Sequence, residues 1–140
     1  GVSGINDEAA FDNAPTVNGT CTTCHDTPNS GNHSVAAPLD IGIADWGRRT
    51  ADMPLYTLRN KITGATIQTT DPGRALITGK WKDIGRFKGP VLRGLAARAP
   101  YFHNGSAKDL QAVIEFYDTR FRIGLTQQEK NDLIAFLRTL

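Results

Sequence analysis

"GTCTTCHDTPNSGNHS", residues 19–34, holds both cysteines of the chain and two of its three histidines. Cys21, Cys24 and His25 stand in the order C-x-x-C-H. A zinc site needs four ligands; no cysteine remains, and His33 and His103 lie far apart in the sequence. A thioredoxin-like pair belongs after a strand, at the head of a helix. Here the preceding "DNAPTVNG" is loop-like and no βαβ alternation follows. A plain disulfide would leave His25 without a role. Covalent attachment of a c-type haem uses all three residues. Two thioether bonds would fix the group against one turn of backbone, with the imidazole of His25 as the proximal ligand to iron. Its other ring nitrogen is expected to donate to a backbone carbonyl, which sets tautomer and orientation.

The rest of the composition is that of an ordinary globular chain. Its 140 residues can bury a core without staples and read as one domain, 1–140. Hydrophobic residues make up 39% and charged residues 21%, with a formal charge of only +2. That charge is too mild for a nucleic-acid binder, which shows a dense basic stripe. No apolar run approaches the length of a membrane span. The opening "GVSGINDEAAF" has neither a basic start nor an apolar run and does not read as a signal peptide.

Along the chain, "EAAFD" (8–12) suggests a short helix, and residues 26–51 a long irregular loop rich in Gly, Pro, Asn, Ser and Asp. "PLYTLRNKITGATIQTT" (54–70) alternates as a small β-hairpin turning at Thr63-Gly64. "DPGRALITG" (71–79) reads as one helical turn closed by Gly79, and Pro90 opens a short helix in "PVLRGLAARA". Ser106 followed by Asp109 resembles a helix cap before an apolar stripe of Leu110, Val113, Ile114 and Tyr117. Thr126 and Glu129 form a capping box, followed by Leu133, Phe136, Leu137 and Leu140 at helical spacing. The fold expected is mainly α: a cytochrome c-like helical domain around one covalent haem, with one small hairpin and long loops.

"FKGPVLRGLAARAPYFHNGSAKDLQAVIEFYDTRF" (87–121) with "IGLTQQEKNDLIAFLRTL" (123–140) resembles the C-terminal haem domain of the bacterial dihaem cytochrome c peroxidase and MauG-like family. The matching residues are Leu92-Arg93-Gly94 and Pro100-Tyr101-Phe102-His103-Asn104-Gly105. With the C-x-x-C-H stretch, the resemblance covers nearly the whole chain. It implies haem c and a helix pair after the Pro-Tyr-Phe-His segment. One departure matters. The family's enzymes carry two haem domains and reduce peroxide at the other, N-terminal haem, whereas this chain has one C-x-x-C-H. Peroxidase activity therefore does not transfer with the resemblance.

The distal iron ligand has two candidates. Met53 is the only methionine, and a thioether is the usual choice of an electron carrier. The resemblance implies instead a Met or Tyr on the helix after the Pro-Tyr-Phe-His segment, where Tyr117 stands. Each has a plainer alternative, Tyr117 as core and Met53 as gap filler. By the same resemblance His103 lies near the haem rather than on its iron. Arg93 and Arg98 suit the two haem propionates, or else a solvated basic face. His33 reads as an exposed loop residue. Trp46, Trp81, Phe87 and Phe102 are expected to wall the haem from water.

The function expected is electron transfer by a monohaem c-type cytochrome domain, with a haem peroxidase or a part of a MauG-like dihaem enzyme as the rival. Expected partners are an acidic redox protein, facing the basic run Lys80 to Arg98, and a second haem domain or subunit. Neither nucleic acid nor a membrane span is expected. Covalent haem attachment follows export in bacteria, so the expected location is periplasmic or otherwise extracytoplasmic.

Overall fold

The computed structural model describes residues 2–5, 8–25 and 37–140. His33 and part of the expected loop at 26–51 lie outside the described residues. In chain order the elements are β1 (Val2–Ser3), β2 (Thr16–Val17), β3 (Tyr56–Arg59), β4 (Thr66–Thr69), α1 (Ala75–Thr78), α2 (Leu110–Phe121) and α3 (Gln127–Leu137), with short 3-10 turns between them. The chain divides into two compact units, one of residues 1–37 and 88–140, the other of residues 38–87.

The first unit is organised by its two longer helices. Asp109 caps α2 by accepting a hydrogen bond from the Ala112 N–H at 2.8 Å. Leu110, Ile114 and Phe121 are buried along one face, as the spacing requires. The helix ends at Arg122 in the left-handed conformation. There the Asp118 carboxylate accepts from the N–H groups of Gly124 and Leu125, at 2.8 and 3.0 Å, and holds the turn into α3. Lys130 of α3 reaches back to Asp118 at 2.8 Å and to Glu115 at 2.9 Å. Between the helices lies a core of Leu95, Tyr101, Ala107, Leu110, Ile114, Ile134 and Leu137. Burying an aliphatic side chain of this kind contributes roughly 1.5–3 kcal/mol. The Tyr101 hydroxyl donates to the Leu95 carbonyl at 3.1 Å, so its polar end is satisfied inside that core. Strand β1 pairs antiparallel with β2, and Arg120 donates to the Gly4 carbonyl at 2.6 Å, tying the N-terminal ribbon to α2.

The capping box of α3 is formed as expected. The Glu129 carboxylate accepts from the Thr126 N–H at 2.8 Å, and the Thr126 hydroxyl accepts from the Glu129 N–H at 3.3 Å. The Thr126 backbone and hydroxyl bonds together hold the Glu129 carboxyl below its ordinary range. A carboxyl whose folded pKa is depressed stabilises above its unfolded value, about 4.3, and loses that contribution as pH falls through the folded value. Glu129→Ala is therefore expected to lower the melting temperature at pH 7 and to flatten its decline on the acid side. Thermal melts from pH 2 to 7 check this; parallel curves for variant and parent would refute it. Thr126→Ala removes the cap itself, at a cost of about 1 kcal/mol.

In the second unit, β3 pairs antiparallel with β4, Tyr56 opposite Thr69 and Leu58 opposite Ile67. Asn60 makes the turn, its side-chain oxygen accepting from the N–H groups of Ile62 and Thr63 at 2.9 and 3.1 Å, and Gly64 takes φ +75°. Helix α1 is one turn, closed by Gly79 in the left-handed conformation, as its sequence predicts. Gly73 has no substitute: at φ +57° an added Cβ would sit 2.7 Å from the Arg86 carbonyl oxygen. Asp83, buried, accepts from the Thr78 hydroxyl at 2.6 Å and closes the loop after α1.

The expected mainly α, cytochrome c-like fold is corrected by this structure. Among the described residues there are three α-helices, of four, twelve and eleven residues, and two two-stranded sheets rather than one hairpin. The physical reason lies in the middle of the chain, where glycines at positive φ and β-branched residues favour turns and strands. The helix expected from Pro90 is only a 3-10 turn at Leu95–Ala97, entered through Gly94 at φ +64°. Helix "EAAFD" is likewise a single 3-10 turn, Ala9–Phe11. Ser106 is not the cap of α2; Asp109 is. Phe136, expected on the apolar stripe of α3, is 56% exposed.

Candidate functional site

Residues Cys21–Thr23 form one 3-10 turn, with Thr20 and Thr23 capping each other as a box. The Cys24 and His25 N–H groups both donate to the Cys21 carbonyl, at 3.2 and 2.9 Å. A Cβ at Gly19 would sit 2.3 Å from the Thr23 hydroxyl oxygen, so a larger residue there would have to displace the side chain that caps the turn. This local wiring puts both thiols and the imidazole on one tight turn. The cysteines are not joined to each other; Cys21 is exposed and Cys24 half-buried. Burial raises the Cys24 thiol pKa, and the neighbouring Cys21 adds to the rise.

His25 is the electrostatic oddity of the site. Burial lowers its pKa, so the ring is neutral at neutral pH, the form that binds metal. Its Nδ1 atom is buried with no hydrogen-bond partner among the described residues. The expected donation from the imidazole to a backbone carbonyl is thus not seen at Nδ1. An unpaired buried nitrogen costs about 1–3 kcal/mol, and a neutral imidazole with an orphaned atom beside two unjoined thiols fits the donor set of a covalently held haem.

Tyr117 of α2 stands in the same unit. Burial pushes its phenol up to about 12, and the Cys24 and Cys21 thiols lie close enough to raise it further. Three rings surround it. Phe116 meets it edge-on with centroids 5.5 Å apart, Phe121 stacks at 5.8 Å, and Phe102 lies at 6.0 Å. Of these, only Phe102 is among the rings that the sequence leads one to expect as an aromatic wall, although Tyr117 and Phe121 sit at helical i, i+4 spacing.

The remaining sequence candidates are distributed otherwise. Met53 belongs to the second unit, where it is buried; its N–H donates to the Thr50 carbonyl at 3.1 Å and its own carbonyl accepts from Arg49 at 2.9 Å. Trp46, Trp81 and Phe87 belong to that unit as well, and Trp46 is 63% exposed. Arg93 and His103 are exposed on the first unit. Arg98, also exposed, donates to the Val91 carbonyl. Among the described residues no cluster of three or more His, Cys, Asp or Glu side chains is arranged to hold a metal ion. No helix among them is long and apolar enough to cross a membrane.

No protein-family model matches the chain, and no solved structure matches it. Several curated proteins do. Over 86% of its length the chain is 38% identical to cytochrome-c peroxidase IdrP1 of Denitromonas iodatirespirans and spans 36% of that protein. Over the same share it is 31% identical to cytochrome-c peroxidase IdrP1 of Pseudomonas sp. (strain SCT), again spanning 36% of it. Methylamine utilization protein MauG of Methylophilus methylotrophus is 35% identical over 39% of the chain and 19% of its own length. The chain therefore spans about a third of the length of the peroxidases it matches. Relatedness across 86% of the residues makes this chain a member of the bacterial dihaem cytochrome c peroxidase and MauG-like family.

Proposed function

We propose that the chain carries one haem c, bound covalently through Cys21 and Cys24, and uses it to pass single electrons. The observation that carries this reading is the Cys21–His25 turn, with two unjoined thiols and a neutral imidazole whose Nδ1 has no partner among the described residues. When bound, the haem supplies a one-electron iron couple. The residues of the chain do the rest. Cys21 and Cys24 anchor the group, and His25 offers a neutral nitrogen to the metal. Tyr117 offers a phenol from α2 on the same unit, and its ring neighbours exclude water. A buried phenol keeps its proton until a cation displaces it. Once the thiols become thioethers they carry no charge, so desolvation alone opposes that ionisation. Arg93 and His103 are proposed to face the haem propionates and the haem edge; Met53 is the rival distal ligand.

The names of the relatives favour a second reading, a haem peroxidase or part of one. The two readings differ in whether the distal position is taken. The optical spectrum of the purified ferric protein tests this directly. A six-coordinate low-spin spectrum is the expected result; a five-coordinate high-spin spectrum would replace electron transfer with peroxide chemistry.

An exported location, in the periplasm or beyond the cytoplasm, is part of the proposal, because covalent haem attachment follows export. The partner proposed is an acidic redox protein, with a second haem domain or subunit as the alternative. Lys88, Arg93 and Arg98 are exposed on the unit that holds the cysteine turn. Reduction by an acidic partner is expected to slow as ionic strength rises, because screening shortens electrostatic steering. Stopped-flow rates independent of salt would refute that docking mode.

A further inference from the structure

Tyr117 is held by rings from two separate stretches of chain. Phe116 and Phe121 share its helix, but Phe102 comes from the Pro100–Gly105 segment, its centroid 6.0 Å from Tyr117 and 4.7 Å from Phe116. Phe102 stands at φ +69°. A bulky side chain adopts that left-handed conformation only where its surroundings over-determine it. They do so here: Tyr101 is bridged to Ala107 by reciprocal backbone bonds of 2.7 and 3.3 Å, and the Phe102 carbonyl accepts from the Gly105 N–H at 3.2 Å. Glycine or asparagine would fit the same backbone without strain. The strain is offset by what the ring contacts, which is Phe116 and Tyr117.

On a helix an aromatic side chain has two favoured χ1 rotamers. A ring packed from outside the helix selects between them. We infer that Phe102 is a positioning residue, holding the Tyr117 phenol in the single orientation that keeps it beside the Cys21–His25 turn. This rests on the reading of Tyr117 as an iron ligand. It acts through Tyr117 and not on the haem itself.

The test compares ferric optical spectra and midpoint potentials of the haem-loaded protein with Phe102→Gly, Phe102→Tyr, Tyr117→Phe and the Phe102→Gly/Tyr117→Phe double variant. Glycine keeps the backbone conformation and removes the ring; tyrosine keeps the ring. Phe102→Gly is expected to shift the ferric bands and the potential in the direction of Tyr117→Phe, while Phe102→Tyr leaves both unchanged. In the double variant the shift should equal that of Tyr117→Phe alone. A wild-type spectrum for Phe102→Gly beside an altered one for Tyr117→Phe overturns the positioning role and spares the ligand. Shifts that add in the double variant overturn it too, since Phe102 would then act on the haem directly. A wild-type spectrum for Tyr117→Phe removes the ligand reading, and the inference with it. If melting shows that Phe102→Gly does not fold, Phe102→Leu is measured against the same outcomes.

Discussion

Cys21→Ala/Cys24→Ala is expected to yield a polypeptide whose intact mass lacks a haem, while the parent carries the mass of one haem that survives denaturation. Both thiols sit on a single 3-10 turn whose hydrogen bonds come from Thr20, Thr23 and the backbone. Alanine keeps that backbone, so the loss is one of attachment and not of the turn. Each single variant should keep one thioether and therefore one haem, held less rigidly. If acid-acetone extraction strips haem quantitatively from the parent, covalent attachment is wrong and His25 would have to hold the group alone.

Tyr117→Phe is expected to change the ferric spectrum and to raise the midpoint potential by on the order of 0.1 V, within the ~0.8 V range that axial ligands span. An anionic oxygen stabilises ferric over ferrous iron, so its loss favours reduction. The substitution removes one oxygen from a ring that Phe102, Phe116 and Phe121 hold on its apolar faces. Packing should therefore survive. Met53→Leu, made in the other unit, is expected to leave spectrum and potential as they were. The opposite pattern, a red charge-transfer band in the parent that Met53→Leu abolishes, would make Met53 the ligand and Tyr117 plain core.

The features legible in the sequence are those whose hydrogen bonds close within a few residues. The C-x-x-C-H turn, the Thr126–Glu129 box, the Asn60–Ala65 hairpin loop and the Gly79 cap all depend on neighbours in the chain. Their residue types are dictated by backbone conformation, which is the same in any surroundings. Even so, local signals mislead where two candidates compete. Ser106 and Asp109 both suit a cap, and only the Tyr101–Ala107 bridge, which draws residue 107 into extended pairing, leaves Asp109 to start α2.

Spacing also showed that α3 is amphipathic, but not which residues its narrow contact with α2 would cover. Ile134 and Leu137 are buried there and Phe136 faces water. Nothing in the local sequence pairs Lys130 with Glu115 and Asp118, because that contact exists only once the turn at 122–125 folds α3 back on α2. The balance of helix and strand differs from the expectation for a related reason: the second half of the chain is rich in helix signals, whereas the glycines and β-branched residues of 38–87 build a unit of their own with a strand pair and only one helical turn. The sequence by itself determined the cysteine–histidine turn, the capping box of α3 and the family. The tertiary structure alone decided which candidate ligand shares a unit with that turn. Tyr117 does and Met53 belongs to the other unit, because long-range packing, and not distance along the chain, sets which residues share a compact unit.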